Sequence, residues 1–231
     1  MPSERRAIVT GSSSGIGKAI AQSLLAEGWR VIGMDISPPS IAHDAFTAAR
    51  VDLCDGNAGE AAAASAGRVD ALVHAAGVLR VGALGAMKPS DAELMWRLHV
   101  DSIARIANIV VPRMVAAGSG RVVLIGSRVA QGKAARSQYA ATKAALVAFA
   151  RSWASEVVAA GVTVNVVSPA ATQTAMSDDP ARATEKPVLP PMGRLIQPGE
   201  IAALVAFLLS PPAAAITGQE INICGGSSLQ R

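Results

Sequence analysis

Aromatic side chains are nearly absent from this 231-residue chain: three phenylalanines, three tryptophans and one tyrosine make up 3% of it. So few rings argue against a surface that stacks nucleic-acid bases, and the formal net charge of +4 is spread along the chain instead of gathered into a basic patch. No nucleic-acid partner is expected. Cysteine is scarce too. Cys54 and Cys224 are too few for a disulfide framework or a metal cluster and neither sits in a Cys-x-x-Cys pair, so both read as buried thiols and no metal site is expected. The longest apolar run, Ile201 to Leu209, is half of the roughly 20 residues that a membrane span needs, and it follows a helix-start signal. No membrane segment is expected either. Met1 to Arg6 runs straight into Ala7-Ile8-Val9 without the charged, apolar and cleavage regions of a signal peptide, which points to the cytoplasm.

What the chain has is apolar content, 51% against 16% charged residues, enough for a sizeable globular core. Short runs rich in Val and Ile predict strands at Ala7 to Thr10, Val31 to Met34, Ala71 to His74, Val122 to Ile125, Thr163 to Val167 and Ile221 to Ile223, with another near Thr47 to Val51. Longer helical patterns lie around Ile16 to Glu27, Asp91 to Ala117, Ser137 to Ala160 and Pro198 to Leu209. Strands that alternate with helices imply βαβ units, and runs apolar on both faces imply a parallel sheet covered on both sides. The fold class is therefore α/β, a doubly wound parallel sheet of about seven strands. No repeat or low-complexity linker interrupts residues 1–231, so one domain is expected. Pro38-Pro39 leaves little room for a helix before the third strand, so that crossover should be irregular. Residues Ala175 to Gly193, with four prolines and no period, read as a loop or lid over a site.

Thr10-Gly11-Ser12-Ser13-Ser14-Gly15-Ile16-Gly17 closes the first strand and opens the first helix. Glycines there permit a tight turn and close backbone approach, and the helix N-terminus offers free N–H groups and a positive dipole end to a pyrophosphate. Asp35 ends the second strand, eighteen residues beyond Gly17, where a carboxylate accepts hydrogen bonds from adenosine ribose hydroxyls and repels a 2′-phosphate. With Ser14 in the turn instead of Lys or Arg, nothing obvious neutralises that phosphate, so the expected cofactor is NAD(H) and not NADP(H). The bland alternatives are an ordinary Gly-Ser turn and a loop-capping aspartate.

Tyr139 and Lys143 are four apart in a strongly helical segment, which puts them on one face. A free tyrosine titrates near about 10, and a neighbouring ammonium stabilises its phenolate and lowers that value. Tyr139 is the only tyrosine, and Ser127 ends the preceding strand at a carboxyl edge, where ligands bind in open α/β sheets.

With these residues the chain resembles the short-chain dehydrogenase/reductase family along essentially its whole length. Thr10 to Gly17 is similar to the family's T-G-x-x-x-G-x-G turn, and Tyr139-Ala140-Ala141-Thr142-Lys143 to its Tyr-x-x-x-Lys signature. The resemblance implies a Rossmann-type fold and hydride exchange between a nicotinamide and an alcohol or carbonyl carbon. In it Tyr139 is the general acid and base, Ser127 holds the oxygen, and Lys143 lowers the tyrosine's pKa and binds the nicotinamide ribose. It also implies cofactor contacts from Gly11, Ser13, Ser14, Gly15, Ile16 and Gly17 in the turn and from Asp35 and Ile36 after the second strand. Further contacts are implied from Asp52 and Leu53 beside adenine, Ala75, Ala76 and Gly77 after the fourth strand, and Pro169, Ala170, Thr172 and Thr174 near the carboxamide. Its members suggest a homotetramer or homodimer with a small-molecule alcohol or carbonyl as substrate.

Three departures from the pattern stand out. His99 falls where the family has an asparagine of a proton relay, and it either relays protons itself or is a structural helix residue. His74-Ala75 replaces paired asparagines and so removes amides that tie neighbouring strands, and Ala170 replaces a glycine. Arg128, Lys133 and Arg136, between the serine and the tyrosine, either face the site and attract an anionic substrate or belong to a solvated loop. A protein that keeps the fold and cofactor but only senses the nucleotide is the alternative to an enzyme.

Overall fold

Seven parallel strands form: β1 (Arg6–Thr10), β2 (Arg30–Asp35), β3 (Phe46–Arg50), β4 (Ala71–His74), β5 (Gly120–Ile125), β6 (Val162–Pro169) and β7 (Glu220–Ile223). The inner ones rest on Val- and Ile-rich runs buried on both faces, and the edge strands β3 and β7 are more exposed. The computed structural model describes residues 4–174 and 188–229. Side chains alternate across the strands, so Ala7 and Val9 pack on one face and Ile8 on the other. Helices α1 (Gly15–Ala26) and α6 (Pro198–Leu209) cover the first face through Ile20, Leu24, Ile201, Val205 and Leu208. Helices α2 (Gly56–Ser65), α4 (Ser102–Ala116) and α5 (Ser137–Val157) cover the second through Ala63, Ile106, Val110 and Leu146. A short helix, α3 (Pro89–Trp96), precedes α4.

Strand order is β3-β2-β1-β4-β5-β6-β7. The chain winds outward from β1 to β3, returns, and starts again with β4 on the other side of β1. At such a switch point the connections leave in opposite directions and open a crevice beyond the carboxyl ends of the strands. The sheet, its strand count and its two covered faces are as expected, and no helix joins β2 to β3.

Two helices differ from expectation. The expected helix from Asp91 to Ala117 is divided by a π-helical turn at Arg97–Asp101, which widens the backbone spiral at His99. α2 escapes periodicity because its buried positions are only Gly59 and Ala63; the legible signal is Asp55, whose carboxylate caps the N–H groups of Asn57 and Ala58. The lid expected at 175–193 lies largely outside the described residues; of it, 188–193 are described, and Val188 reaches the crevice. Among the described residues no helix is long and apolar enough to cross a membrane.

Candidate active site

Beyond Thr10 the backbone turns through Gly11 at a φ of 69°, in the left-handed region that side chains with a Cβ rarely adopt. A Cβ on Gly11 would come within 2.8 Å of the Ala76 backbone, and one on Gly17 would strike the Gly11 carbonyl oxygen. The turn thus brings α1 close against β1. Ser14 makes no side-chain cap to the first turn of α1, which leaves that dipole end to an anion. Thr174 packs its methyl on the other side of the turn, 3.4 Å from where a Cβ of Gly15 would stand.

Thr10 ties β1 to β4. Its Oγ1 accepts the N–H groups of Ala75 and Ala76 at 3.1 Å each and meets His74 Nδ1 at 2.9 Å. The strands therefore keep a polar brace where loss of the asparagine amides predicted a weaker one: the His74 imidazole supplies it. Because Thr10 Oγ1 already accepts twice, its own proton goes to Nδ1, which puts the imidazole proton on Nε2. His74 is fully buried, and Nε2 has no protein hydrogen-bond partner among the described residues. Burial, reinforced by the Lys143 cation, lowers the His74 pKa to about 3.

The crevice is a cavity of about 570 Å³. At one end, Asp35 accepts the N–H groups of Ser13 at 2.9 Å and Ser37 at 2.8 Å, one on each carboxylate oxygen, and so is held facing the turn. Asp52 accepts the Cys54 N–H at 2.9 Å, and buried Leu53 and exposed Ile36 complete this end. Gly11, Ser14, Gly15, Ile16 and Gly17 line the floor, continued by Ala75, Ala76 and Gly77. Ser13 is not in the wall; its role is the amide that orients Asp35. Cys54 and Cys224 are half-buried free thiols, not buried ones, and Cys54 borders the cavity. No cluster of His, Cys, Asp and Glu fit for a metal occurs among the described residues.

At the other end stand Ser127, Tyr139 and Lys143, with Pro169, Ala170, Thr172 and Thr174 across from them. Ser127 Oγ accepts the Val129 N–H at 3.2 Å, which leaves its own proton for another acceptor. Lys143 is 4% exposed; Nζ donates to the Ile125 carbonyl at 2.9 Å and lies 5.8 Å from the centre of the Tyr139 ring. Burial lowers the ammonium's pKa to about 8. Thr172 Oγ1 donates to the Ala170 carbonyl at 2.9 Å and fixes the chain leaving β6.

His99 lies behind this group and outside the cavity wall. Its Nε2 accepts the Val78 N–H at 3.0 Å, so the proton is on Nδ1, which donates at 2.9 Å to Thr142 Oγ1. The Thr142 hydroxyl in turn donates to the Tyr139 carbonyl at 2.8 Å. Burial, then the Lys143 cation, hold the His99 pKa well below the ordinary value for histidine. With both nitrogens held and the ring neutral, these hydrogen bonds brace His99 between Val78 and Thr142. The π-helical turn swings the ring to Val78, and the ring meets Tyr139 edge-on at 5.6 Å between centroids. Sequence reasoning passed over Val78 and Thr142, although Thr142 stands inside the Tyr-x-x-x-Lys segment. Arg128, Lys133 and Arg136 all line the cavity, and Arg136 is buried at 3% exposure.

The site can hold a dinucleotide: a turn that side chains cannot enter, an open helix terminus and a carboxylate one strand over fit a pyrophosphate and its ribose. Known proteins agree. The family model described as enoyl-(acyl carrier protein) reductase matches residues 11–228. The 3-oxoacyl-(acyl-carrier-protein) reductase FabG of Vibrio cholerae is 37% identical over 235 residues, covering 95% of this chain and 96% of that protein. Oxidoreductase UcpA of Escherichia coli is 32% identical over 249 residues, covering 97% and 95%. A crystal structure of an actinorhodin polyketide ketoreductase variant with NADPH superposes with a TM-score of 0.86 at 28% identity, over 96% of this chain and 97% of that one. The chain belongs to the short-chain dehydrogenase/reductase family of oxidoreductases.

Proposed function

We propose that this protein interconverts a secondary alcohol and a carbonyl with NAD(H), in the cytoplasm, with Tyr139 as the general acid and base. The observation that carries this reading is the convergence of Ser127, Tyr139 and buried Lys143 at one end of a single cavity whose other end has the dinucleotide turn. Bound in that cavity, a nicotinamide supplies or receives the hydride. The Ser127 hydroxyl, whose oxygen accepts from Val129, donates to the substrate oxygen and orients it. The Tyr139 hydroxyl gives that oxygen its proton in reduction and takes it back in oxidation. Lys143 keeps two N–H donors beyond the one on Ile125, and its charge favours the phenolate that Tyr139 becomes.

Asp35 supports NAD(H) over NADP(H). One oxygen is held by the Ser13 N–H of the turn and the other by the Ser37 N–H, so the carboxylate is fixed where a ribose diol can donate to it and a 2′-phosphate would meet like charge. Two observations favour the phosphorylated cofactor instead. The ketoreductase neighbour has NADPH, and Arg50 stands in register with Asp35, although its Nε donates to the Ile36 carbonyl at 3.1 Å. FabG is a 3-oxoacyl-(acyl-carrier-protein) reductase and the structural neighbour a polyketide ketoreductase, so ketones belong in the substrate panel. The test is turnover with NAD(H) and NADP(H) across polyols, sugars, hydroxy acids, steroids and 3-oxoacyl thioesters. Reduction or oxidation of some member with NAD(H) preferred is expected; binding without turnover would favour the nucleotide-sensing alternative, and equal use of NADP(H) would remove the role given to Asp35.

The lowered Lys143 pKa has a kinetic consequence. Below about pH 8 the ammonium is charged and carbonyl reduction proceeds; as pH rises through that value the charge beside Tyr139 is lost. In the free enzyme, kcat/KM for reduction should therefore fall on an alkaline limb centred near pH 8. A pH–rate profile that stays level to pH 10 contradicts it. A homodimer or homotetramer is part of the same proposal.

A further inference from the structure

The two ends of the cavity differ in charge. Among the described lining residues the carboxylates are Asp35 and Asp52, both at the end assigned to adenosine, whereas the end with Ser127 and Tyr139 has Arg128, Lys133, Arg136 and Lys143. Lys143 is accounted for by the proposed reaction. The other three are not.

Arg136 is the informative one. It stands just before α5, one turn ahead of Tyr139, and is 3% exposed although it borders the cavity. The backbone is held in an unfavourable shape to put it there. Ala135 has a φ of 58°, the one positive value at a non-glycine residue among those described, and its carbonyl accepts the Gly82 N–H at 3.0 Å. The Arg136 N–H donates to the Lys133 carbonyl at 3.1 Å, so the same turn carries both cations to the cavity. Arg128 follows the proposed oxygen-holding serine directly.

Resting on the proposed alcohol–carbonyl chemistry, we infer that the substrate carries an anionic group, a carboxylate or phosphate, that binds beside Arg136 with Arg128 and Lys133 at the rim. The guanidinium is a planar fork of N–H donors that matches two oxygens of such a group. Arg136 and Tyr139 line the same end of the cavity, one helical turn apart, so an anion held by the arginine shares that end with the reacting carbon. The arrangement therefore selects short oxo or hydroxy acids, or their phosphate analogues, over neutral ketones and thioesters.

The experiment pairs 2-, 3- and 4-oxo acids of four to ten carbons with their methyl esters and with 3-oxoacyl N-acetylcysteamine thioesters. Hydroxyacetone phosphate and hydroxyacetone form a phosphate arm, and NADH oxidation by the intact enzyme is followed. The expected result is a kcat/KM at least about tenfold higher for one of the anionic compounds than for its neutral partner, expressed mainly in KM, a preference that falls with added salt. The carboxylate and phosphate arms show which anion is meant. In Arg136→Gln, and separately in Arg128→Gln in case the first variant folds poorly, the ratio of anionic to neutral kcat/KM should fall about tenfold, with NADH affinity read by fluorescence as the control for folding. Neutral ketones or thioesters turned over as well as the acids, or a ratio unmoved by both variants, overturn the anion site and leave the proposed reaction standing. No turnover of any carbonyl, with NADH still bound, overturns both.

Discussion

Tyr139→Phe should lose about 10²- to 10⁴-fold in turnover while binding the dinucleotide as the parent does, because in the proposed reaction the hydroxyl moves the proton and the ring does not. The substitution removes one oxygen. The ring keeps its edge contact with His99 at 5.6 Å and its place 5.8 Å from the Lys143 ammonium, neither of which involves the hydroxyl. Thr142 still donates to the residue 139 carbonyl, so the start of α5 keeps its shape. Steady-state rates with the best substrate of the panel, set beside a fluorescence titration of NADH, make the measurement. A phenylalanine variant that retains a tenth of the parent rate would show that another group moves the proton. If both rate and NADH affinity collapse, the hydroxyl is structural.

The second large effect concerns stability in mild acid. His74 is fully buried and neutral, with a folded-state pKa of about 3 set first by burial and then by the Lys143 cation. In the unfolded chain a histidine titrates near about 6.5. Between those values the unfolded state binds a proton that the native state refuses, so unfolding becomes easier as pH falls. Above about 6.5 neither state is protonated and the contribution is constant. Below it, about 1.4 kcal/mol is lost per pH unit until the folded-state value is approached, which is about 2 kcal/mol by pH 5 and about 4 kcal/mol by pH 3. His99, lowered in the same direction, adds to the effect. A His74→Asn chain can still accept the Thr10 hydroxyl proton but has nothing to titrate. Urea unfolding at pH 7.5 and pH 5 should therefore show a drop about 2 kcal/mol smaller in the variant than in the parent. Parallel losses in the two proteins would mean that His74 is protonated in the folded state.

These two residues also show where a one-dimensional reading succeeds. Tyr139 and Lys143 are four apart in one helix, so their shared face follows from helix geometry before any tertiary contact is known. Asp35 and Ser127 were legible for a similar reason, since Asp35 ends one strand and Ser127 follows another by two residues, and an apolar run announces each strand. His74 was noticed only as the loss of an asparagine. Its brace to Thr10 spans 64 residues, and only parallel pairing of β1 with β4 brings the two side by side. The hydrogen bonds of His99 are equally non-local, because the π-helical turn delivers the ring to Val78, 21 residues away, and Thr142, 43 residues away. A π-helical turn has no pattern of its own in a helix already rich in apolar residues.

Short apolar runs alternating with helical patterns were enough by themselves to determine a doubly wound parallel sheet, and the glycine turn and the Tyr-x-x-x-Lys spacing pointed to the proposed dinucleotide corner and acid–base pair. Each is a property of one element or of one strand–turn–helix unit, where backbone geometry sets the side chain's direction. Tertiary structure alone decided which histidine nitrogens stay free, that Cys54 borders the crevice, and that Arg136 lies inside it. Those outcomes depend on partners far away in the chain and on a left-handed backbone at Ala135, held by a hydrogen bond from Gly82 53 residues before it. Local preference opposes that conformation, and packing imposes it.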